Sequence, residues 1–255
     1  MERMIDTLEV GEVHNTGDDF YFKLNDHTVI NTIPAVHILQ GKMSKEIMDN
    51  VYEYLDSIND NSANPTLVAN ISGDQSTVNV KHPLMQGYMR QLHQSAVDFH
   101  NLHPHPQLEF TKSPERRIEV SHSWSVKMNG GDYNPRHYHQ TRNSVTGIAT
   151  VCYVKVPESI QTDVDASNKK VDKTGNSTYT RNEGCLDFSW NRQSMMDDYR
   201  SRDTTTVVPH VGDYYIFPKW LYHTVYPYTG SEQRWSVQTN FNVFTNEEWE
   251  MTKNA

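Results

Sequence analysis

Only two of the 255 residues are cysteines, Cys152 and Cys185. Two thiols cannot build a disulfide framework or a four-thiolate zinc site, and their scarcity fits a reducing compartment. No run approaches the roughly 18 apolar residues of a membrane span. The stretch Met1 to Val10 has neither the basic nor the apolar region of an export signal, so a soluble, cytoplasmic protein is expected. Basic excess is lacking as well. The 23 lysines and arginines face 32 aspartates and glutamates, for a formal net charge of -9. That balance argues against a generic nucleic-acid binder, because phosphate attraction needs a basic face. Apolar residues make up 36% of the chain, below the about 45–50% usual in soluble domains. What the sequence does have is histidine, 13 in all, and imidazoles can hold a metal where thiols are absent.

No repeat, low-complexity tract or linker divides the chain, so a single domain spanning 1–255 is expected. Its period changes along the way. From Ser44, an N-cap residue type, Ile47, Val51, Tyr54, Leu55 and Ile58 recur at helical spacing. A second helix is predicted from Pro83, with Leu84, Tyr88, Leu92, Phe99 and Leu102 on one stripe until Pro104 and Pro106. After about residue 116 alternation takes over. Val120, His122, Trp124, Val126 and Met128 alternate with polar residues as in a half-buried strand. Further strands are expected at Val145 to Val156, Cys185 to Trp190, Thr204 to Val208, Tyr214 to Phe217, Leu221 to Tyr226 and Arg234 to Phe244. Short strands punctuated by Gly and Pro predict a mainly β sandwich, jelly roll or barrel. Strands and two helices of 1–115 would pack on its sheet, with 116–250 as the core. The polar stretch 158–183 reads as an insertion, either a lid or a surface loop.

Within Asp132-Tyr133-Asn134-Pro135-Arg136-His137-Tyr138-His139, the histidines at i and i+2 point to one side of an extended chain. Two imidazoles can therefore reach one ion, although half-buried core histidines are common. His223, among aromatic neighbours, offers a third nitrogen or a core hydrogen bond. Eleven residues later Arg234 shares a strand face with Ser236, Gln238 and Asn240. A guanidinium there either is a surface cation or lines a polar pocket, where its planar fork suits a carboxylate.

His137-x-His139, His223 and Arg234-x-Ser236 together resemble the pattern of the Fe(II)- and 2-oxoglutarate-dependent oxygenases, in their prolyl-4-hydroxylase-like branch. The strand ending Tyr153-Val154-Lys155-Val156-Pro157, Gly184 to Phe188, and Gly212-Asp213 to Pro218 add to the likeness, which covers about 116–244. The resemblance implies a double-stranded β-helix (jelly roll, cupin-like) with a metal between its sheets. It implies His137 and His223 as ligands to Fe(II), and Arg234, with Ser236 and Tyr153, as the partners of the distal carboxylate of 2-oxoglutarate. The implied activity is an O2-dependent hydroxylation of a C–H bond, with release of succinate and CO2.

One position departs from the family. Where its motif carries a carboxylate, this chain has His139. His139 is then a third ligand, or it leaves a position open, or Asp132 or Asp187 folds in; the strand period favours the first. The implied substrate is a small molecule or a peptidyl side chain, with the 158–183 insertion, the stretch 191–202 and the aromatics Trp190, Trp220, Tyr222 and Tyr226 as candidates for its pocket. Two other classes fit the same residues. A non-catalytic jelly-roll binding module would hold no metal, and a three-histidine cupin-type dioxygenase would need no 2-oxoglutarate. Of the remaining histidines, His93, His100, His103 and His105 read as helix-end groups. His122 and His210 are left without a role, and Arg136 is read as an exposed charge.

Overall fold

The computed structural model describes residues 13–15, 20–25, 28–33, 36–63, 69–102, 116–140, 146–160, 183–190 and 204–253. Most of the predicted insertion (161–182), the stretch 191–203, and the segment with His103, Pro104, His105 and Pro106 lie outside the described residues.

Helix α1 (Lys45–Asp56) starts where expected, because the Ser44 hydroxyl accepts the Ile47 N–H at 3.3 Å and so satisfies a first-turn donor. A 3-10 turn, Pro83–Met85, leads into helix α2 (Gln86–Leu102). Val51, Leu55, Tyr88 and Leu92 of the two apolar stripes are fully buried, with Ile47, Ile58 and Leu84 packed partly buried against the same core. A short helix α3 (Asn246–Lys253), which the period did not signal, follows the last strand.

Thirteen strands are present among the described residues: β1 (Val13–Asn15), β2 (Phe20–Asn25), β3 (Thr28–Ile33), β4 (Val36–Lys42), β5 (Asp74–Thr77), β6 (Arg116–Met128), β7 (Asn134–His137), β8 (Thr146–Lys155), β9 (Leu186–Ser189), β10 (Thr204–Val207), β11 (Asp213–Pro218), β12 (Tyr222–Val225) and β13 (Arg234–Thr245). They form two antiparallel sheets. The larger has the order β1-β2-β3-β4-β11-β8-β13-β6-β5 and the smaller β10-β9-β12-β7. The fold is mainly β, as the strand census predicts, and its two sheets are consistent with the double-stranded β-helix that the resemblance implies.

The period of two decides what each face of the large sheet meets. Ile148, Cys152, Val154, Trp235, Val237, Phe241 and Val243 share one core with the two helices. Ala149, Val151, Tyr153, Tyr215 and Phe217 turn the other way, toward Leu186 and Phe188 of the small sheet. The ring of Tyr214 lies over Gly41, its direct partner across β4, and its hydroxyl pairs with Ser95 of α2 at 2.8 Å. Only a residue without a side chain leaves room for that ring.

Two expectations for β6 need correction. The strand is covered on both faces from Ser123 to Met128, so it is not half-buried there. Nor do Val120 and Trp124 share a face. The register against β13 shifts between Asn240 and Phe241, leaving Ser121 as the extra residue of a β-bulge. A bulge reverses the alternation, so Ile118 and Val120 pack with the helices while Trp124, Val126 and Met128 pack between the sheets.

Candidate metal and cosubstrate site

β7 and β12 are neighbours in the small sheet, and their register sets His137 directly opposite His223. Directly opposed residues share a face with Cβ atoms about 5 Å apart. His139 follows two residues later, and its backbone N–H donates to the Lys219 carbonyl at 2.8 Å, which fixes it at the corner between β11 and β12. The outcome is one ligating atom from each of His137, His139 and His223, all within 4.8 Å of one another. The ring centroids of His137 and His223 are 4.1 Å apart, and those of His139 and His223 are 4.9 Å apart. Phe217 at 5.0 Å and Phe188 at 6.4 Å wall His223, and Trp124 covers His139 at 5.6 Å.

Each imidazole has its other nitrogen engaged by an oxygen. Nδ1 of His137 donates to the Pro135 carbonyl at 2.7 Å, Nδ1 of His223 to the Leu221 carbonyl at 2.9 Å, and Nδ1 of His139 to the Asn240 Oδ1 at 2.7 Å. An oxygen acceptor keeps the proton on Nδ1 and leaves Nε2 with its lone pair, the tautomer a metal needs. Burial acts in the same direction. It lowers His137, holds His139 down at about 4, and, helped by the other two rings, pulls His223 well below the usual imidazole value. Three neutral nitrogen donors suit a divalent transition ion such as iron, nickel, copper or zinc.

No carboxylate joins this group among the described residues. Asp132, one of the two alternatives to His139, accepts from Ser72 N–H and hydroxyl, Gly73 N–H and Asn129 N–H, so it ties loops together. Asp187, the other, sits beside the inward-facing Phe188 and therefore turns to the far side of the small sheet, where Thr206 donates to it at 2.7 Å.

A second group lines the same space on β13. Arg234 is 1% exposed, and among the described residues its guanidinium touches only neutral groups: Nη1 contacts the Met128 sulfur at 3.0 Å, and Cζ lies 4.8 Å from the Tyr153 ring centre. Its Nε and the Tyr153 hydroxyl are both buried without a hydrogen-bond partner. Ser236, 1% exposed, accepts from Gln238 Nε2 at 2.8 Å, and Gln238 Oε1 is left buried and unpaired. Burial pushes the Tyr153 phenol up to about 12, with Arg234 opposing, so it stays a neutral donor. A charge taken out of water without a counter-charge is costly. This cradle fits an anionic ligand, and its open donors are those of a carboxylate clamp.

Other expected residues lie elsewhere. His93 Nε2 contacts the Ile118 carbonyl at 2.9 Å, and His210 lies 3.3 Å from Asp213. Arg136 stacks over Tyr222 at 4.5 Å, on the outer face with Tyr138; Tyr222 and Trp220 are exposed. Four residues at the site carry no role that the sequence alone assigned. Asn240 orients His139, and Asn134 places Nδ2 3.4 Å from His137 Nε2 while its Oδ1 stays buried and unpaired. His122 stacks on Trp124 at 5.1 Å with Nε2 unpaired. Lys219, 3% exposed, donates to Asn242 Oδ1 at 2.6 Å and Ser121 Oγ at 3.3 Å, and burial lowers its ammonium to about 8. A single lysine inside the aromatic run Tyr214 to Tyr222 was the available signal for the last.

Residues 122–240 match the family model described as "Putative 2OG-Fe(II) oxygenase". No curated protein sequence matches the chain. A prolyl hydroxylase from Trichoplax adhaerens, solved with a peptide fragment of the hypoxia inducible factor oxygen degradation domain, is similar at a TM-score of 0.50 and 11% identity, over 84% of this chain and 86% of that one. AviO1 of Streptomyces viridochromogenes is similar at 0.49 and 10%, over 80% and 89%. A prolyl-4-hydroxylase of Pseudomonas putida is similar at 0.44 and 13%, over 80% and 91%. At 11% identity the likeness to the Trichoplax enzyme is one of fold. Among the described residues, no helix is long and apolar enough to cross a membrane.

Proposed function

From the match of residues 122–240 to the model described as "Putative 2OG-Fe(II) oxygenase", we propose that His137, His139 and His223 hold Fe(II) while Arg234, Ser236 and Tyr153 hold 2-oxoglutarate for the hydroxylation of a C–H bond. The observation that carries the cosubstrate assignment is Arg234, a buried guanidinium with no anion beside it among the described residues, on the face of β13 that also supplies Asn240 to His139. Bound there, Fe(II) supplies the redox chemistry that couples oxygen and 2-oxoglutarate consumption to C–H hydroxylation, with succinate and CO2 as by-products.

The chain's own residues bind, orient and exclude. The three Nδ1 hydrogen bonds hold the imidazoles in one tautomer and one orientation, so little reorganisation accompanies metal capture. Arg234 supplies paired donors to the distal carboxylate, and the Ser236 and Tyr153 hydroxyls add one each. Phe188, Phe217 and Trp124 keep bulk water from the histidines, which protects reactive species from side reactions. The peptide on the Trichoplax relative makes a peptidyl side chain the first substrate class to offer.

The decisive experiment measures 2-oxoglutarate binding to the metal-loaded protein without oxygen, then succinate release once Fe(II) and oxygen are present. Binding and succinate are expected. Metal binding without any affinity for 2-oxoglutarate would instead favour a three-histidine dioxygenase of the cupin type, and failure to bind metal would favour a binding module.

A further inference from the structure

The face of β13 that turns toward the small sheet carries Arg234, Ser236, Gln238, Asn240 and Asn242 in turn. Its first residue is a buried cation, and its last holds one. Lys219 reaches Asn242 Oδ1 at 2.6 Å and Ser121 Oγ at 3.3 Å, and it is 3% exposed. Both partners are neutral. Like Arg234, this ammonium is out of water with no carboxylate at hydrogen-bond distance among the described residues, an arrangement that costs free energy in the protein alone. Lys219 does not belong to the Arg234 cradle, because eight residues of strand separate Arg234 from Asn242, about 26 Å. It lies instead beside His139, which donates its backbone N–H to the Lys219 carbonyl at 2.8 Å. On the same flank, His122 stacks on Trp124 at 5.1 Å, Trp124 covers His139 at 5.6 Å, and the His122 Nε2 is buried with no partner.

We propose that Lys219 and His122 form the subsite for the primary substrate, and that this substrate carries an anionic group, carboxylate or phosphate, which Lys219 binds. The inference deepens the oxygenase reading and rests on it for the word substrate; the anion site itself does not depend on 2-oxoglutarate. A lysine is a compact point charge and accepts either anion, whereas the planar fork of Arg234 matches a single carboxylate. The inward face of β13 thus has a cation at each end. Arg234 takes the cosubstrate, and Lys219 anchors the substrate with its target C–H bond held toward the histidines.

The test uses the full-length chain loaded with Zn(II), which supports no turnover, and saturated with 2-oxoglutarate so that Arg234 is occupied. Acetate and inorganic phosphate are then titrated by calorimetry. At least one is expected to bind, and the stronger of the two identifies the substrate anion. Lys219→Met is expected to weaken that binding at least about tenfold, the loss of one charge-assisted hydrogen bond, while Lys219→Arg restores it. His122→Phe reads the same subsite where Lys219→Met does not fold. In Arg234→Met the pattern is reversed, with 2-oxoglutarate lost and the second anion retained. That last arm separates failure of the subsite from failure of the oxygenase reading. No anion binding beyond 2-oxoglutarate in the wild type, or equal binding in Lys219→Met and His122→Phe, overturns the proposal.

Discussion

His139 and Asn240 are joined by a 2.7 Å hydrogen bond from imidazole Nδ1 to amide oxygen, across the space between the two sheets. The bond connects a residue two positions beyond β7 to the strand that also carries Arg234. Outer partners of this kind set tautomer and ring orientation, and losing one costs about 10–100-fold in metal affinity. Asn240→Ala is therefore expected to weaken Zn(II) binding by about tenfold or more, as measured by chelator competition, with the melting transition still cooperative. An unchanged affinity would sever Asn240 from the metal site.

Arg234 separates function from stability. Among the described residues its guanidinium is buried against Met128 and Tyr153 without an anion, so a methionine of similar shape should be no worse there. Arg234→Met is expected to leave the unfolding midpoint equal or higher while 2-oxoglutarate affinity falls by about 100-fold, two charge-assisted bonds' worth. Arg234→Lys keeps the charge but not the fork and should fall between. A large drop in the midpoint of Arg234→Met would make the arginine a structural residue.

The three imidazoles also predict a pH dependence. Their folded-state values lie below the ordinary 6.5, so below that pH the unfolded chain takes up protons that the folded chain refuses. Stability is thus unaffected above about pH 6.5 and falls as the pH drops toward 4. For His223, which is 6% exposed, the slope approaches about 1.4 kcal/mol per pH unit. Urea midpoints of the metal-free protein should decline from pH 7 to pH 5, and His223→Phe should flatten the decline. Zn(II) should stabilise more at pH 7 than at pH 5, since protons compete for the same nitrogens. A flat profile from 7 to 5 would mean the imidazoles are not held neutral by burial.

Much of this was legible because it depends on period. A spacing of two put His137 and His139 on one side, and the same spacing put Arg234, Ser236, Gln238 and Asn240 on one face of β13. What stayed hidden depends on register and on single insertions. The pairing of His223 with His137 is a property of two strands far apart in sequence, and no local pattern encodes it. The bulge at Ser121 is one extra residue, and it moves Val120 to the opposite face from Trp124. The neutral partners of Lys219 come from β6 and β13, so its burial without a carboxylate could not be read from the chain around it.

Whether His139 is a ligand or only a neighbour is decided by comparing two positions. If it donates to the metal, His139→Ala should weaken Zn(II) binding by more than the about 100-fold ceiling of an outer partner. His139→Asp, which restores the carboxylate of the family motif, should recover most of the loss, because a single oxygen ligand at that place completes a two-histidine, one-carboxylate set. Asn240 supplies the control. Acting through His139, it should add nothing once His139 is gone, so Asn240→Ala in the His139→Ala background is expected to leave affinity where the single variant left it. Losses that add in the double variant would mean that Asn240 and His139 act independently. A His139→Ala loss no larger than that of Asn240→Ala would reduce the donor set to His137 and His223.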